Sequence, residues 1–258
     1  MKTITSAQNE QLKRLAKLLG SAKARREKAQ TVLEGIHLLQ MYLQNGFEPL
    51  QVYVPESKLQ FEEVQSLLVL LPPEKVVCVS KDALGKITSL AEGEDVMSLI
   101  AIPAKEALPQ NGDCVVLERV QDPGNVGTIL RSAAASGVSQ VVLSEDSADV
   151  WSPKVLRAGM GAHFLLRLFR GDLLQWRQAY KGKVWATALS EKRHYSLYEM
   201  PEHMPCAWVF GNEGSGVSDS MLDSADGTVK IPMAGATESL NVAMAATICL
   251  FEQMRRRL

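Results

Sequence analysis

The chain has no CxxC pair and no cysteine or histidine cluster at metal-ligand spacing; its four cysteines (Cys78, Cys114, Cys206, Cys249) are scattered. That excludes a zinc ribbon or a dithiol redox centre, and it reads as reduced, mostly buried thiols of a cytoplasmic protein with no metal. His37, His163, His194 and His203 share no ligand spacing either. There is no GxxxxGK[ST], which removes the phosphate loop of a nucleotide hydrolase. The stretch Met1 to Glu10 lacks an apolar signal core, and no run approaches membrane-spanning length, so no membrane association is expected. Repeats and low-complexity tracts are missing as well. A formal net charge of −1 gives no global field, so a nucleic-acid partner would need a local basic patch. What remains is an ordinary soluble composition, with 258 residues, enough for one large or two modest domains.

Residues 6–30 read as a helical opening. Leu12, Leu15, Leu18 and Leu19 form an apolar stripe, and Lys13, Arg14, Lys17, Lys23, Arg25, Arg26 and Lys28 fill much of the rest. Such a basic face is either solvated or a phosphate-contacting surface. Glu34-Gly35 opens a helix that ends at Asn45-Gly46. Strands are predicted over 50–54, 76–79 and 96–102, with a helix over 60–71 and a region containing Gly85 and Gly93. Pro103 to Gly112, with two prolines and a glycine, is the linker candidate. The predicted domains are therefore 1–103 and 113–258, joined by 104–112. The second half alternates strands (114–117, 140–143, 184–188, 207–210, 228–231) with helices (126–135, 153–157 or beyond, 173–180, 218–223, 240–257). Short apolar strands between helices imply an α/β fold with a parallel sheet covered on both faces, whose ligands sit at the carboxyl ends of the strands.

Three loops carry the chemistry. The stretch Glu118 to Gly137 leaves a strand, turns at Asp122-Pro123-Gly124 and enters a helix with Asn125 as the expected cap. Arg131 falls about a turn and a half later, where its guanidinium could overhang the loop. The stretch Trp208 to Ser218 runs a strand directly into Gly211, Gly214 and Gly216, and glycines there permit close backbone approach to a ligand. The stretch Ile231 to Ala245 breaks at Pro232 and Gly235 and re-enters a helix at Ser239, an N-cap type. Small residues in that helix (Ala243, Ala245, Ala246) allow something to pack very close.

Together, Asn125-x-Gly-x-x-x-Arg131, Phe210-Gly-Asn-Glu-Gly-Ser-Gly216 and Ile231-Pro-Met-x-Gly-x-x-Glu-Ser-Leu-Asn241 resemble the three signature motifs of the SpoU/TrmH family of RNA ribose 2′-O-methyltransferases, in the family's order and spacing. The motifs cover residues 118–251. The Glu34-Gly35 helix start resembles the ribosomal-protein-like substrate-binding domain that often precedes this catalytic domain. The resemblance implies a SPOUT fold, an α/β domain with a parallel sheet and a deep trefoil knot, a topology otherwise nearly absent from proteins. It implies S-adenosylmethionine as cofactor, held by Thr187, Ala188, Leu189, Gly211, Asn212, Gly214, Ile231, Met233, Ser239 and Leu240. It implies Asn125, Arg131, Glu213, Ser239 and Asn241 as the catalytic set. The family's proposed base is the arginine matching Arg131; since a guanidinium keeps its proton, phosphate positioning and charge stabilisation are the sounder roles.

RNA contacts are expected from Lys13, Arg14, Arg25, Arg26, Glu34 and Arg157, with ribosomal RNA favoured over transfer RNA. A homodimer built on the knot is implied, with the long C-terminal helix in the interface. Two positions depart from the family: Ala243 and Gly159 stand where relatives often have serine. A transfer RNA enzyme and a non-catalytic RNA-binding relative of the same fold stay open as alternatives.

Overall fold

The computed structural model describes residues 3–88, 90, 95–188, 194–201 and 205–258. Its contacts divide the chain into two units, Met1–Ala104 with Asp149–Phe164 and Lys105–Ala148 with Leu165–Leu258. The first unit is therefore discontinuous in sequence.

Within 3–101 the elements are β1 (Thr3–Ile4), α1 (Glu10–Gly20), α2 (Ala22–Lys28), β2 (Gln30–Glu34), α3 (Ile36–Gln44), β3 (Gln51–Pro55), α4 (Glu62–Leu68), β4 (Val76–Val79), α5 (Lys81–Gly85) and β5 (Met97–Ala101). The sheet order is β1-β4-β3-β5-β2, with β5 antiparallel to both of its neighbours. Asn9 caps α1 by accepting from Gln11 N, and Leu12, Leu15 and Leu18 bury the predicted stripe. The opening helix breaks at Ser21, whose extended backbone (φ −133°, ψ 112°) ends one helix while its hydroxyl caps the next. Thr31 to Glu34 are strand, so the helix expected from Glu34-Gly35 starts instead at Ile36, after Gly35 at φ 106°. The reason is continuous burial: Thr31, Val32, Leu33 and Glu34 are all inside, paired to β5.

The remaining elements are β6 (Cys114–Leu117), α6 (Pro123–Ala135), β7 (Gln140–Leu143), α7 (Pro153–Gly159), β8 (Arg167–Arg170), α8 (Leu173–Ala179), β9 (Lys183–Thr187), β10 (His194–Ser196), β11 (Cys206–Phe210), α9 (Asp219–Ser224), β12 (Gly227–Lys230) and α10 (Val242–Arg255). All seven strands form one parallel sheet, ordered β10-β12-β9-β11-β6-β7-β8. Its central strands are buried throughout, as a sheet covered on both faces requires. Two edge strands, β8 and β10, were not expected; each is short, half-exposed and mixed in composition.

α7 and its flanks fold with the first unit. Leu156 is fully buried in a cluster with Leu33, Leu38, Tyr42 and Ile100. Arg25, 4% exposed, pairs with Asp149 at 2.7 Å and donates to the Leu18 carbonyl at the end of α1. Arg157 pairs with the wholly buried Glu34 carboxylate at 2.6 Å, and Thr31 donates to the Trp151 carbonyl at 2.8 Å. His163 is buried beside Trp151, its Nε2 donating to the Val150 carbonyl at 2.8 Å. Burial pushes that imidazole down to about 4, keeping it neutral.

Candidate active site and cofactor cleft

The parallel register brings four strand ends together: Phe210 of β11 lies beside Leu117 of β6, Val209 beside Ala186 of β9, and Val229 of β12 beside Thr187. Three of the four loops that leave those ends, after β6, β11 and β12, are the stretches singled out above. In the loop after β11, a side chain at Gly211 would collide with the backbone of Gly216 and Val217. Asn212 and Gly216 close the loop through paired backbone bonds, with Gly216 at φ 69°. Inside it Asn212 Oδ1 accepts from the Gly214 and Ser215 N–H groups, each at 3.0 Å. Asn212 Nδ2 donates outward to the Arg119 carbonyl at 2.9 Å.

Fixing Asn212 directs Glu213 toward the loop after β6. Its carboxylate accepts from Asp122 N (3.0 Å), Asn125 Nδ2 (3.0 Å) and Gln121 N (3.3 Å). Burial alone would raise this carboxyl, but the bond from the Asn125 side chain and the backbone donors outweigh it and hold the group below the ordinary glutamate range. Asn241 completes the arrangement, its Nδ2 donating to Asn125 Oδ1 at 2.9 Å. Asn241, Asn125 and Glu213 thus form one polarised chain of hydrogen bonds, each amide oriented by the next, ending on a carboxylate.

Two expected caps are corrected. Asn241, not Ser239, caps α10: its Oδ1 accepts from Ala243 N and Met244 N, and Ser239 lies in the exposed loop before it. Asp122, not Asn125, caps α6, accepting from Asn125 N at 2.9 Å with Pro123 in the first turn. With Asp122 as the cap, the Asn125 side chain is free to bond Asn241 and Glu213, and Asn241 caps α10 through Oδ1 while its Nδ2 reaches Asn125. The signal for Asp122 was present, since Asp before Pro is a helix-start signature. The small residues of α10 meet α6: Ala243 and Ala246 are buried, and Ser132 and Thr247 hydroxyls lie 2.6 Å apart. Ala243 is buried and does not line the cleft described below.

A cleft of about 740 Å³ opens at these strand ends. Thr187, Ala188, Gly211, Asn212, Gly214, Ile231, Met233, Ser239 and Leu240 line it, as do Glu213 and Asn241. Leu189 lies outside the described residues, as do Gly93 and His203. Thr187 Oγ1 donates to the Val209 carbonyl and Ala188 N to the Val229 carbonyl, so this wall presents mainly backbone and apolar surface. Arg131 is exposed on α6, and its side chain makes no hydrogen bond or ion pair with another described residue. The network does not include it.

In the first unit, Lys13, Arg14 and Arg26 are exposed; Lys13 pairs with Glu10 at 3.0 Å, and Arg14 donates to Gln30. Arg25 and Glu34, expected among the RNA contacts, are instead buried and committed to the internal pairs described above. Arg157 is half-buried against Glu34. Among the described residues no group of three or more His, Cys, Asp or Glu could hold a metal ion.

Residues 113–251 match the SpoU rRNA Methylase family, and residues 9–98 match an MRM3-like substrate binding domain. The chain belongs to the SpoU family. One SpoU relative, the 23S rRNA (guanosine(2553)-2′-O)-methyltransferase RlmP of Bacillus subtilis, is 32% identical over 255 residues, spanning 97% of this chain and 98% of its own. The SpoU methyltransferase AviRb from Streptomyces viridochromogenes, solved in complex with AdoMet, superposes with a TM-score of 0.84 at 25% identity, covering 97% of this chain and 98% of that one. An AdoMet-bound rRNA methyltransferase from Sinorhizobium meliloti gives 0.84 at 30% identity, covering 100% and 98%. The cleft suits such a SpoU cofactor: its volume is that of a small-molecule site, its walls at Ile231, Met233 and Leu240 are apolar, and backbone groups supply polar contacts.

Proposed function

We propose that this protein methylates a ribose 2′-hydroxyl of 23S ribosomal RNA, using S-adenosylmethionine held in the cleft between Thr187, Gly211 and Leu240. The observation that carries the reading is the Asn241–Asn125–Glu213 chain, which ties the three motif loops together beside the cleft. The bound cofactor supplies an activated methyl group on sulfur. The protein's part is to bring the ribose hydroxyl in line with it and exclude competing geometries. Glu213, held ionised by the donors on its oxygens, acts as a fixed acceptor that orients Asn125 and the backbone of 121–122. Asn125 and Asn241 thereby have set amide orientations and form the polar wall that the ribose meets. Arg131, exposed and free of acidic partners among the described residues, offers its guanidinium to an RNA phosphate and steadies charge during transfer. Ser239 sits on the cleft rim and adds a hydroxyl there.

The exposed cations Lys13, Arg14 and Arg26 of the first unit provide a sequence-independent hold on RNA. We also infer that residues 206–241 form the family's trefoil knot, an inference supported by the insertion of β11 between β6 and β9 and the return of α10 against α6. A homodimer is supported by Met244 and Phe251, large apolar residues exposed on α10, and light scattering of the purified protein tests it. The cytoplasm is the expected site of action; among the described residues no helix is long and apolar enough to cross a membrane. Calorimetric titration with S-adenosylmethionine, beside N241A, tests the pocket, and transfer of a labelled methyl group to protein-free 23S rRNA tests the substrate. Saturable binding lost in N241A with methylation of 23S rRNA is expected. Methylation of transfer RNA alone would replace the substrate, and absence of binding by the folded protein would overturn the reading.

A further inference from the structure

Arg119 lies two residues beyond β6 and adopts φ 55°, one of only three non-glycine residues with a positive φ among those described. A side chain disfavours that backbone, so the surrounding contacts must hold it. They do: its N–H donates to Ser144 Oγ at 2.9 Å, and its carbonyl accepts from Asn212 Nδ2 at 2.9 Å. The guanidinium is left almost unused. Nη2 reaches the Gly216 carbonyl at 3.4 Å, the long end of a hydrogen bond, and Nε is buried with no partner. An arginine has five N–H donors to satisfy, and here one has an acceptor among the described residues.

The neighbouring acids do not compensate. Glu118 accepts from the Ser218 N–H and hydroxyl, Asp122 caps α6, Asp146 takes the Ser144 hydroxyl, and Glu213 holds the 121–125 loop. Four carboxylates close in sequence or space are thus all committed elsewhere, and among the described residues no ion pair forms at Arg119. A cation kept free of acids, in a backbone conformation that costs stability, and resting on a residue of the cleft wall, is arranged for an anion that arrives from outside. We propose that Arg119 is a second anchor for the RNA backbone, taking a phosphate near the target ribose through paired charge-assisted bonds while Arg131 takes another. The contact to Gly216 O places that phosphate beside the glycine loop. This rests on the methyltransferase reading above.

The test uses R119G and R119K in the full-length protein. Glycine accepts the left-handed backbone, so R119G keeps the loop and removes only the guanidinium. Binding of a protein-free 23S rRNA transcript is measured across a range of salt, with cofactor titration and thermal melting alongside. R119G is expected to weaken RNA binding about five- to tenfold and to lower the slope of log K against log salt by about one, with melting and cofactor affinity as in wild type. R119K should recover the slope but only part of the affinity, because an ammonium lacks the planar fork. RNA affinity and slope unchanged in R119G would overturn the proposal. So would a loss of melting temperature or cofactor affinity at unchanged slope, which would make Arg119 a brace for the loop. Wild-type protein that methylates no RNA would count against the methyltransferase reading itself.

Discussion

Two glutamates, each followed by a glycine and lying at or just beyond the end of a strand, have opposite surroundings. Glu34 ends β2 and is buried, its carboxylate paired with Arg157 and accepting from Thr88. Glu213 follows β11 by three residues and is exposed, yet accepts from three donors of the motif loop after β6 and, at 3.4 Å, from the Asn212 amide of its own loop. Glu34 is balanced by a full opposite charge and stabilises packing. Glu213 is balanced by backbone dipoles and an amide, which leaves its negative charge uncancelled at the mouth of a cleft. A buried carboxylate needs a cation because desolvation is costly. One near water can be held by partial charges and remain functional.

The strongest way to break this contrast is at the loop itself. G211A should abolish measurable cofactor binding, because the added carbon meets backbone that has nowhere to go; calorimetry on protein of native melting temperature checks this, and full-strength binding would show that the loop yields. R157A takes the guanidinium from a fully buried carboxylate and should cost about 3 kcal/mol or more in urea unfolding. A change below about 1 kcal/mol would put Glu34 in the same class as Glu213.

Acid should then separate the two units. His163 is depressed to about 4 in the folded chain, so the unfolded chain binds the extra proton first as pH falls below about 6.5. Stability is therefore complete above that range and declines between about 6.5 and 4, by about 3 kcal/mol in all, and H163Q should flatten the profile. Glu213 is shifted the same way from a carboxylate's starting point. Its contribution is complete above the ordinary glutamate range and is lost only as pH falls through its lower folded value. Cofactor binding that fell in step with His163 titration would erase the distinction. The smallest effect expected is for E213Q, which keeps shape but removes charge. Its kcat should drop about ten- to a hundredfold with melting nearly unchanged, the worth of hydrogen bonds to an ionised acceptor. A matching loss of stability would mean that Glu213 is structural, as Glu34 is.

The central strands of the second unit were readable because Cys114–Leu117, Gln140–Leu143 and Cys206–Phe210 are short apolar runs bounded by turn residues. β8 and β10 were not, since an edge strand such as Arg167-Leu-Phe-Arg170 buries little and carries charge. β2 was missed for the opposite reason: Thr31-Val-Leu runs unbroken into Ile36 and Leu38, and only Gly35 marks the change from strand to helix. At the site, glycine spacing identified the loops, but nothing local said that Asn125 and Asn241 bond each other, because their separation of 116 positions is closed by the sheet. Basic residues were the least legible. Arg25 and Arg26 are neighbours in a charged run, and only the direction each takes from α2 makes one a buried tie and the other a surface cation.

Asp149–Phe164 lies inside the span of the SpoU family match, yet folds with the unit at the other end of the chain. The two units are consequently not modules that recombination could exchange at a single joint. A fragment ending near residue 104 would expose Leu33 and Ile100 where Leu156 should cover them, and would leave Glu34 facing an absent arginine. A helix in the middle of the SpoU match is thus what finishes the core of the first unit.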